Sequence, residues 1–185
     1  MRLWSFQPVE VAENLKKGTP FTCIPSKSEY IEELDFVRSY AWLISEMELV
    51  IQRPENVDWP VWAWNTTYGI HKKPDLRRSM FEYYDSGWAI LELEIPDSEV
   101  FLTDYEDWHC VLMDFPVHTK EEMEEYDRLC DEADDNLVTW TEEEKLESWK
   151  RIFGSDFRYV QATFWEIKPE YLVKVHKGYR KKVKK

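Results

Sequence analysis

Two tryptophans in this 185-residue chain have the spacing of residues on one face of a strand and could form part of a ligand-binding site. Trp62 and Trp64 lie in the segment Pro60–Trp64, and residues separated by one position point to the same face of a strand. Such a pair of indole rings could stack on a nucleobase or on a nicotinamide ring. Packing of both rings in the hydrophobic core is the alternative.

A basic loop follows Gly69. Its sequence, Lys72-Lys73-Pro-Asp-Leu-Arg77-Arg78, contains four cations, and a guanidinium group binds phosphate oxygens through paired N–H groups. We therefore expect Lys73 and Arg77 to hold a phosphate or pyrophosphate, with an ordinary solvated turn as the alternative. The chain has only 5 Gly and no glycine-rich phosphate loop, so side chains or helix ends would have to hold such a group.

A histidine and a tryptophan lie on a predicted helix. Asp104 fits the N-cap of a helix that extends through Leu112. His109 on this helix could act as a general base or a hydrogen-bond donor, and Trp108 beside it could contact the same ligand. A histidine that only satisfies structural hydrogen bonds is the alternative. The four histidines of the chain have no metal-ligand spacing, so no metal site is expected.

Polar residues interrupt the last long predicted strand, Tyr159–Ile167. Gln161 and Thr163 share one face of this strand. An amide is poorly suited to a dry core because its donor and acceptor groups need partners, so Gln161 favours a polar cleft. Glu166, close to Pro169, is expected to face solvent at the end of the strand.

The charge of the chain is uneven. The net charge is −13, but the last 18 residues, Lys168–Lys185, carry +7 and the first 167 carry −20. Residues 120–147 alone carry −10. We expect residues 118–152 to form an acidic helical insertion in a single domain of residues 1–177, followed by a basic tail, 178–185. The acidic stretch could bind a basic protein partner, whereas nucleic acid is disfavoured except through the tail.

Hydrophobic periodicity predicts a single α+β domain with a mixed, mainly antiparallel sheet. The alternation along Trp88–Ile95 is typical of a half-exposed antiparallel strand. No apolar run could cross a membrane and no secretory signal is visible, so a cytoplasmic protein without a membrane partner is expected. The other predicted elements are strands at Leu3–Phe6, Phe21–Ile24, Phe81–Tyr84 and Val100–Thr103, and helices at Pro8–Lys17, from Ser26 to Ile51, and at Pro169–Val175.

Several segments of the chain resemble an uncharacterised family of small bacterial and phage proteins, labelled domain of unknown function 3841. Together they cover most of the chain outside the acidic insertion. The resembling segments are Leu3–Gln7, Pro60–Trp64, Lys73–Arg77, Glu94–Asp97, Asp104–His109 and Gln161–Glu166. This resemblance implies a family but no established activity.

The order of the predicted elements also resembles, more remotely, that of compact ADP-ribosyltransferase-like folds. This resemblance implies two small sheets with NAD bound in the cleft between them. Ser5 and Gln7 lie where such enzymes carry a His or Arg that holds the adenosine ribose. Gln161 lies where they carry a catalytic Glu, and Glu166 follows five residues later.

Two hypotheses of different classes follow. The first is an ADP-ribosyltransferase-like domain that binds NAD, a related nucleotide or another small molecule, without a metal. Its catalytic candidates are Gln161, His109 and Glu166. Its cofactor-binding candidates are Ser5, Gln7, Trp62, Trp64, Lys73, Arg77 and Trp108. The second is a non-enzymatic module, such as an antitoxin, an inhibitor or a phage accessory protein, that binds a basic protein through residues 120–147.

Overall fold

The strands of the chain pair into two antiparallel sheets in a computed structural model that describes residues 1–27, 36–81, 87–132 and 140–177. The strands are β1 (Arg2–Pro8), β2 (Phe21–Thr22), β3 (Val61–Thr66), β4 (Trp88–Glu94), β5 (Phe101–Asp104), β6 (Val160–Phe164), β7 (Glu166–Ile167) and β8 (Leu172–Lys177). Six of them form one sheet in the order β5-β6-β3-β1-β4-β8, and β2 pairs with β7. The expected α+β class is confirmed, and the pairing is antiparallel throughout.

Helices cover both faces of the six-stranded sheet. The α-helices are α1 (Val9–Lys16), α2 (Val37–Glu48), α3 (Tyr105–Leu112), α4 (Lys120–Glu132) and α5 (Glu142–Trp149). On one face, Leu15 of α1 packs into a core with Leu91 of β4. A second core contains Leu43 of α2, Trp108 of α3 and Trp149 of α5. The sheet is therefore the central layer between two hydrophobic cores.

Alternation along the strands assigns side chains to the two cores. In β4, Leu91 and Leu93 are buried in the core on the α1 side, and Glu92 between them points to the opposite face. In β3, Ala63 belongs to the α1-side core, whereas Trp62 packs against the core of α2, α3 and α5. The predicted alternation of β4 is confirmed.

Local signals place the ends of several helices. The side chain of Asp104 caps α3 by accepting hydrogen bonds from two first-turn N–H groups at 2.6 and 3.2 Å, as predicted. Thr141 caps α5 in a reciprocal capping box with Glu144. Gly18 follows the end of α1 at φ +89°, a conformation that side chains disfavour.

The acidic segment contains two helices, α4 and α5. A second capping box begins α4, where Thr119 Oγ1 accepts from the Glu122 N–H at 3.2 Å and Glu122 Oε2 accepts from the Thr119 N–H at 2.8 Å. Arg151 pairs with Glu122 and donates to the Val117 carbonyl at 2.7 Å. These contacts attach the start of α4 to the turn that follows α5. The basic tail, residues 178–185, lies outside the described residues.

The last part of the chain differs from the prediction in two ways. The predicted strand Tyr159–Ile167 is interrupted after Phe164, because Trp165 turns into the core of α2, α3 and α5 before β7 pairs with β2. The predicted helix Pro169–Val175 is wrong, since Pro169–Tyr171 forms a single 3-10 turn and β8 follows. Pairing of β8 with β4 satisfies backbone groups at the edge of the sheet, and this outweighs the local helix signal.

Two other predicted elements lie partly outside the described residues. The predicted helix from Ser26 to Ile51 is α2 in its described part, and Ser26 itself lies in a 3-10 turn, Pro25–Lys27. Of the predicted strand Phe81–Tyr84, Phe81 ends a 3-10 turn and the other positions are outside the described residues. No helix in the described part of the chain combines the length and apolar character that a membrane span requires.

Candidate functional site

The six-stranded sheet is split between its two central strands, β1 and β3. Their register is defined by a single pair, Trp4 opposite Trp64, whereas β1 pairs with β4 at seven positions. The fully buried Ser5 bridges the split, because its Oγ donates to the Trp62 carbonyl at 2.8 Å. Gln7 Nε2 donates in turn to Ser5 Oγ at 2.9 Å. Side chains thus connect the two strands where backbone pairing ends.

A cavity of about 190 Å³ lies at this split. Its aromatic walls are Phe6, Phe21, Trp62 and Trp64. Gln7, Gln161 and Cys23 also line it. None of the described residues in its lining is charged, and the described residues contain no cluster of three His, Cys, Asp or Glu that could hold a metal ion. The cavity therefore suits a planar group that stacks on aromatic rings and forms hydrogen bonds.

Burial keeps the ionisable groups around the cavity neutral. It raises the pKa of the Cys23 thiol above the ordinary value of 9.0. It also raises the pKa of Tyr40 to about 12, and the ring of Tyr40 lies 6.3 Å from that of Trp62. Neither group loses its proton near neutral pH, so neither supplies a nucleophile or a general base there.

Three buried polar groups on the same face of the sheet have no hydrogen-bond partner among the described residues. They are Nε1 of Trp4, Nε1 of Trp62 and Oγ1 of Thr103. Thr103 is fully buried and lies opposite Gln161, which in turn lies opposite Trp64. An unpartnered buried polar group costs about 1–3 kcal/mol. Of the three residues that carry these groups, only Trp62 lines the cavity, and its Nε1 is inaccessible to solvent.

Trp108 and His109 support one wall from outside the cavity. Trp108 is only 4% exposed, and its ring centroid lies 5.3 Å from that of Trp62, so it is part of the core behind the wall. His109 is exposed, and its Nδ1 lies 2.7 Å from the Tyr105 carbonyl oxygen. The Tyr105 ring contacts both the His109 ring and the Trp64 ring, at 4.6 and 4.8 Å. His109 is therefore one ring removed from the cavity wall.

Glu166 lies at a different cavity, of about 300 Å³, at the end of β7. Lys168 Nζ lies 3.8 Å from a Glu166 carboxylate oxygen and 3.2 Å from a Glu99 oxygen. Tyr171 donates to the same Glu99 oxygen at 2.7 Å. Hydrogen bonds with Tyr171 and Glu99 raise the pKa of Lys168 above its ordinary value. Glu166 thus belongs to an ion-pair cluster and does not meet Gln161.

Lys73 and Arg77, the side chains that were predicted to bind phosphate, lie in a loop beside the cavity. Arg77 binds Asp75 through two N–H groups, at 2.8 and 2.6 Å, and this hydrogen bonding lowers the pKa of Asp75. Lys73 is exposed, and its Nζ lies 3.5 Å from the Pro74 carbonyl. The 3-10 turn after this loop ends at Phe81, whose ring stacks on Phe6 at 5.3 Å. The loop therefore adjoins the cavity, and the Arg77 guanidinium is engaged by a carboxylate.

The structure thus brings together half of the predicted residues. Gln7, Trp62, Trp64 and Gln161 line the cavity at the split between β1 and β3, and Ser5 lies behind this lining, bonded to Gln7 and to the Trp62 carbonyl. The other five lie outside this cavity, at the places described above; these are Lys73, Arg77, Trp108, His109 and Glu166.

Six described lining residues were not among the predicted site residues, and three of them, Pro60, Val61 and Ala63, lie in the segment that contains the two tryptophans. Phe6 alternates with Ser5 and Gln7 along β1, so it points to the other face, and only the split in the sheet lets both faces contribute. Phe21 and Cys23 lie in and after β2, which packs at this edge through its pairing with β7. The predicted strand at Phe21–Ile24 was the one local signal, and it contains nothing that indicates contact with β3.

Together, the fold and this site define an α+β domain with a neutral, aromatic-walled cavity in a split antiparallel sheet. A family model described as "Domain of unknown function (DUF3841)" matches residues 2–173, and the chain belongs to this family. No curated protein and no solved structure matches the chain.

Proposed function

We propose that the chain binds a nucleotide through its planar ring, with NAD or a related nicotinamide nucleotide as the ligand. The observation that carries this proposal is the uncharged cavity at the β1–β3 split, with aromatic walls and two amides. Gln7 and Gln161 each offer a donor and an acceptor, which match the carboxamide of nicotinamide or the edge of a base. Trp62 and Trp64 supply the stacking surfaces.

The size of the cavity limits which part of the ligand it takes. Pockets for drug-sized ligands enclose about 300–1,000 Å³. A cavity of about 190 Å³ accommodates one ring system rather than a whole dinucleotide. The ribose and phosphates of the ligand then lie outside it.

The same lining argues for binding over glycosyl transfer. Remote resemblance to ADP-ribosyltransferases assigns Gln161 to the position of their catalytic Glu. A neutral amide does not carry the full charge with which a carboxylate stabilises a developing sugar cation. The nearest candidate carboxylate, Glu166, is held at another cavity beside Lys168. We therefore expect NAD binding with little or no release of nicotinamide.

Thermal unfolding with and without NAD tests the proposal. A ligand at a hundred times its dissociation constant stabilises the native state by about 2.7 kcal/mol, which corresponds to about 8 °C in melting temperature for a chain of this size. The variant Gln161→Ala is expected to weaken NAD binding about fivefold through the loss of one hydrogen bond. Gln52→Ala, an exposed Gln outside this cavity, is the matched control. If neither NAD nor nicotinamide changes the melting temperature, the proposal is refuted.

A second candidate function is supported by a groove between α2 and α5. Its volume is about 510 Å³, and four of its seven lining residues are glutamates. Trp42 and Leu146 form the apolar part of the lining. We propose, as the alternative function, that this groove binds a basic amphipathic segment of a protein partner, within the acidic stretch of residues 120–147 and the adjoining α2.

A Lys-rich peptide with leucines at helical spacing is the probe for this second candidate. The double variant Glu143→Lys, Glu147→Lys should weaken peptide binding at least about tenfold at low salt. The same reversal at Glu10 and Glu13, exposed on α1, changes the net charge equally and should leave binding at the groove nearly unchanged. Equal loss in both double variants would show a nonspecific charge effect and contradict the groove.

A further inference from the structure

Two arginines beside the cavity lie on the ring of one tyrosine. The guanidinium carbon of Arg78 lies 4.7 Å from the centre of the Tyr68 ring, and that of Arg158 lies 5.8 Å from it. Arg158 also lies 5.3 Å from the ring centre of Tyr159, which packs edge-on against Tyr68 at 5.0 Å. We call these four residues the Tyr68 cation surface.

Backbone contacts fix Tyr68 in this position. Thr67 and Ile70 pair across a tight turn, with Tyr68 at φ +55° and Gly69 at φ +72°. The Gly69 N–H donates to the Arg158 carbonyl at 2.7 Å. The turn after β3 is thereby attached to the residue that precedes Tyr159 and β6. Both guanidinium groups are held over the tyrosine before any ligand binds, which lowers the entropic cost of binding.

Neither of these two arginines forms an ion pair with a carboxylate of the described residues, although the charge of Arg78 helps to lower the pKa of Asp75. Arg78 and Arg158 are both exposed, and no carboxylate of the described residues lies within ion-pair distance of either. The other arginines of the described residues all pair with carboxylates; they are Arg2, Arg38, Arg53, Arg77, Arg128 and Arg151. The two guanidinium groups thus have N–H groups available for an anion from solution.

The Tyr68 cation surface adjoins one wall of the cavity. Tyr159 precedes Gln161 by two residues along the chain entering β6, which corresponds to about 7 Å at the rise of an extended strand. The Tyr105 ring lies 6.5 Å from that of Tyr159 and 4.8 Å from that of Trp64. The phosphates of a nucleotide whose ring lies in the cavity can reach across this distance.

We propose that Arg78 and Arg158 bind the diphosphate of the nucleotide whose ring occupies the cavity. This inference rests on the proposed nucleotide-binding function and names the part of the ligand that lies outside the cavity. A guanidinium group binds a phosphate through paired N–H groups, and two such groups on one ring match the two phosphates of a diphosphate. An extended nucleic acid would also meet the body of the protein, whose first 167 residues carry −20.

Two probes separate the contributions of ring and phosphate: NAD, and nicotinamide riboside, which lacks phosphate. Calorimetric titration of the full chain should show NAD binding at least about tenfold more tightly than nicotinamide riboside. Arg78→Gln and Arg158→Gln should each weaken NAD binding about tenfold and leave nicotinamide riboside within about twofold of wild type. Raising the salt from about 50 mM to about 300 mM should weaken NAD binding in wild type and have a smaller effect in the two Gln variants.

Arg53→Gln is the matched control. Arg53 is exposed and also lies over an aromatic ring, at 5.9 Å from that of Trp165, but it belongs to neither the cavity nor the Tyr68 cation surface. Arg53→Gln should leave the affinities for NAD and for nicotinamide riboside unchanged. Circular dichroism of each variant checks that the fold is retained, and Arg158→Lys supplies a variant that keeps the charge and loses the paired N–H groups.

The outcomes distinguish the two proposals. If neither NAD nor nicotinamide riboside binds, the nucleotide-binding function itself is refuted. The diphosphate proposal is overturned if nicotinamide riboside binds and NAD binds no more tightly. It is also overturned if both Gln variants bind NAD as wild type does. In either case the cavity remains the proposed binding site of the ring. Tighter binding of a single-stranded oligonucleotide than of NAD, lost in the same variants, also overturns it in favour of nucleic acid.

Discussion

Ser5 offers the sharpest test of the split sheet, because one hydroxyl connects β1, β3 and the cavity. Its Oγ donates to the Trp62 carbonyl at 2.8 Å and accepts from Gln7 Nε2 at 2.9 Å. The residue is fully buried. The substitution Ser5→Ala removes one oxygen atom and leaves the carbonyl and the amide without this partner, while the side chain stays small.

The expected loss is larger than that of a typical hydroxyl. A hydrogen bond at an exposed site contributes about 1 kcal/mol or less, whereas leaving buried partners unsatisfied costs about 1–3 kcal/mol. We expect Ser5→Ala to lower the free energy of unfolding by about 2 kcal/mol, and the melting temperature by about 6 °C. Because Gln7 loses its anchor, the affinity for NAD should fall as well.

Urea unfolding followed by tryptophan fluorescence measures the first effect, and thermal shift with NAD measures the second. Ser45→Ala is the matched control, since Ser45 Oγ also donates to a tryptophan carbonyl, that of Trp42, at 2.7 Å, but on the exposed side of α2. We expect this control to stay within about 0.5 kcal/mol of wild type. Equal stability of Ser5→Ala and Ser45→Ala would refute the role of Ser5 in joining the strands.

Three further predictions concern stability. Asp104→Ala removes the cap of α3 and should lower the free energy of unfolding by about 1 kcal/mol in urea titrations. Trp149→Phe removes a fully buried indole whose Nε1 donates to the Phe115 carbonyl at 2.7 Å, and should lower the melting temperature by about 9 °C, from a loss of about 3 kcal/mol. The hydrogen bond from His176 lowers the pKa of Glu92, so the stability it contributes is complete above the ordinary value of 4.5 and is lost as the pH falls through the lowered pKa. Unfolding followed from pH 6 to pH 3 (roughly the range in which carboxylates protonate) should therefore show a smaller acid-induced loss in Glu92→Gln than in wild type, and equal losses would contradict this assignment.

Much of the fold could be predicted because the relevant signals are local. The cap at Asp104, the capping box at Thr141 and the alternation along β4 each depend on residues within a turn or a few strand positions. The prediction failed at β8, where Pro169 and its neighbours carry a helix signal. Pairing with β4 decides that segment, and the local sequence contains no information about which strand has a free edge.

For the candidate site, too, the sequence predicted the local features and not the contacts between distant segments. Strand spacing alone placed Trp62 and Trp64 on one face, and the unsuitability of an amide for a dry core singled out Gln161. Whether these residues meet Ser5 and Gln7 depends on where pairing between β1 and β3 stops, and no local pattern marks that point. The basic loop shows the same limit, because the sequence favoured Arg77, whereas the structure pairs Arg77 with Asp75 and leaves Arg78 with Arg158 on Tyr68.

The sequence by itself determined the α+β class, the caps of α3 and α5, the faces of β4 and the unequal distribution of charge, since each follows from short-range geometry or composition. The tertiary structure decided which strands pair, where the sheet splits, and which cations remain without a carboxylate. These outcomes depend on contacts between residues far apart in the chain, such as Gln7 with Gln161 at one cavity and Arg78 with Arg158 on one ring. Their free energy is set by burial and packing that exist only once the sheet has formed.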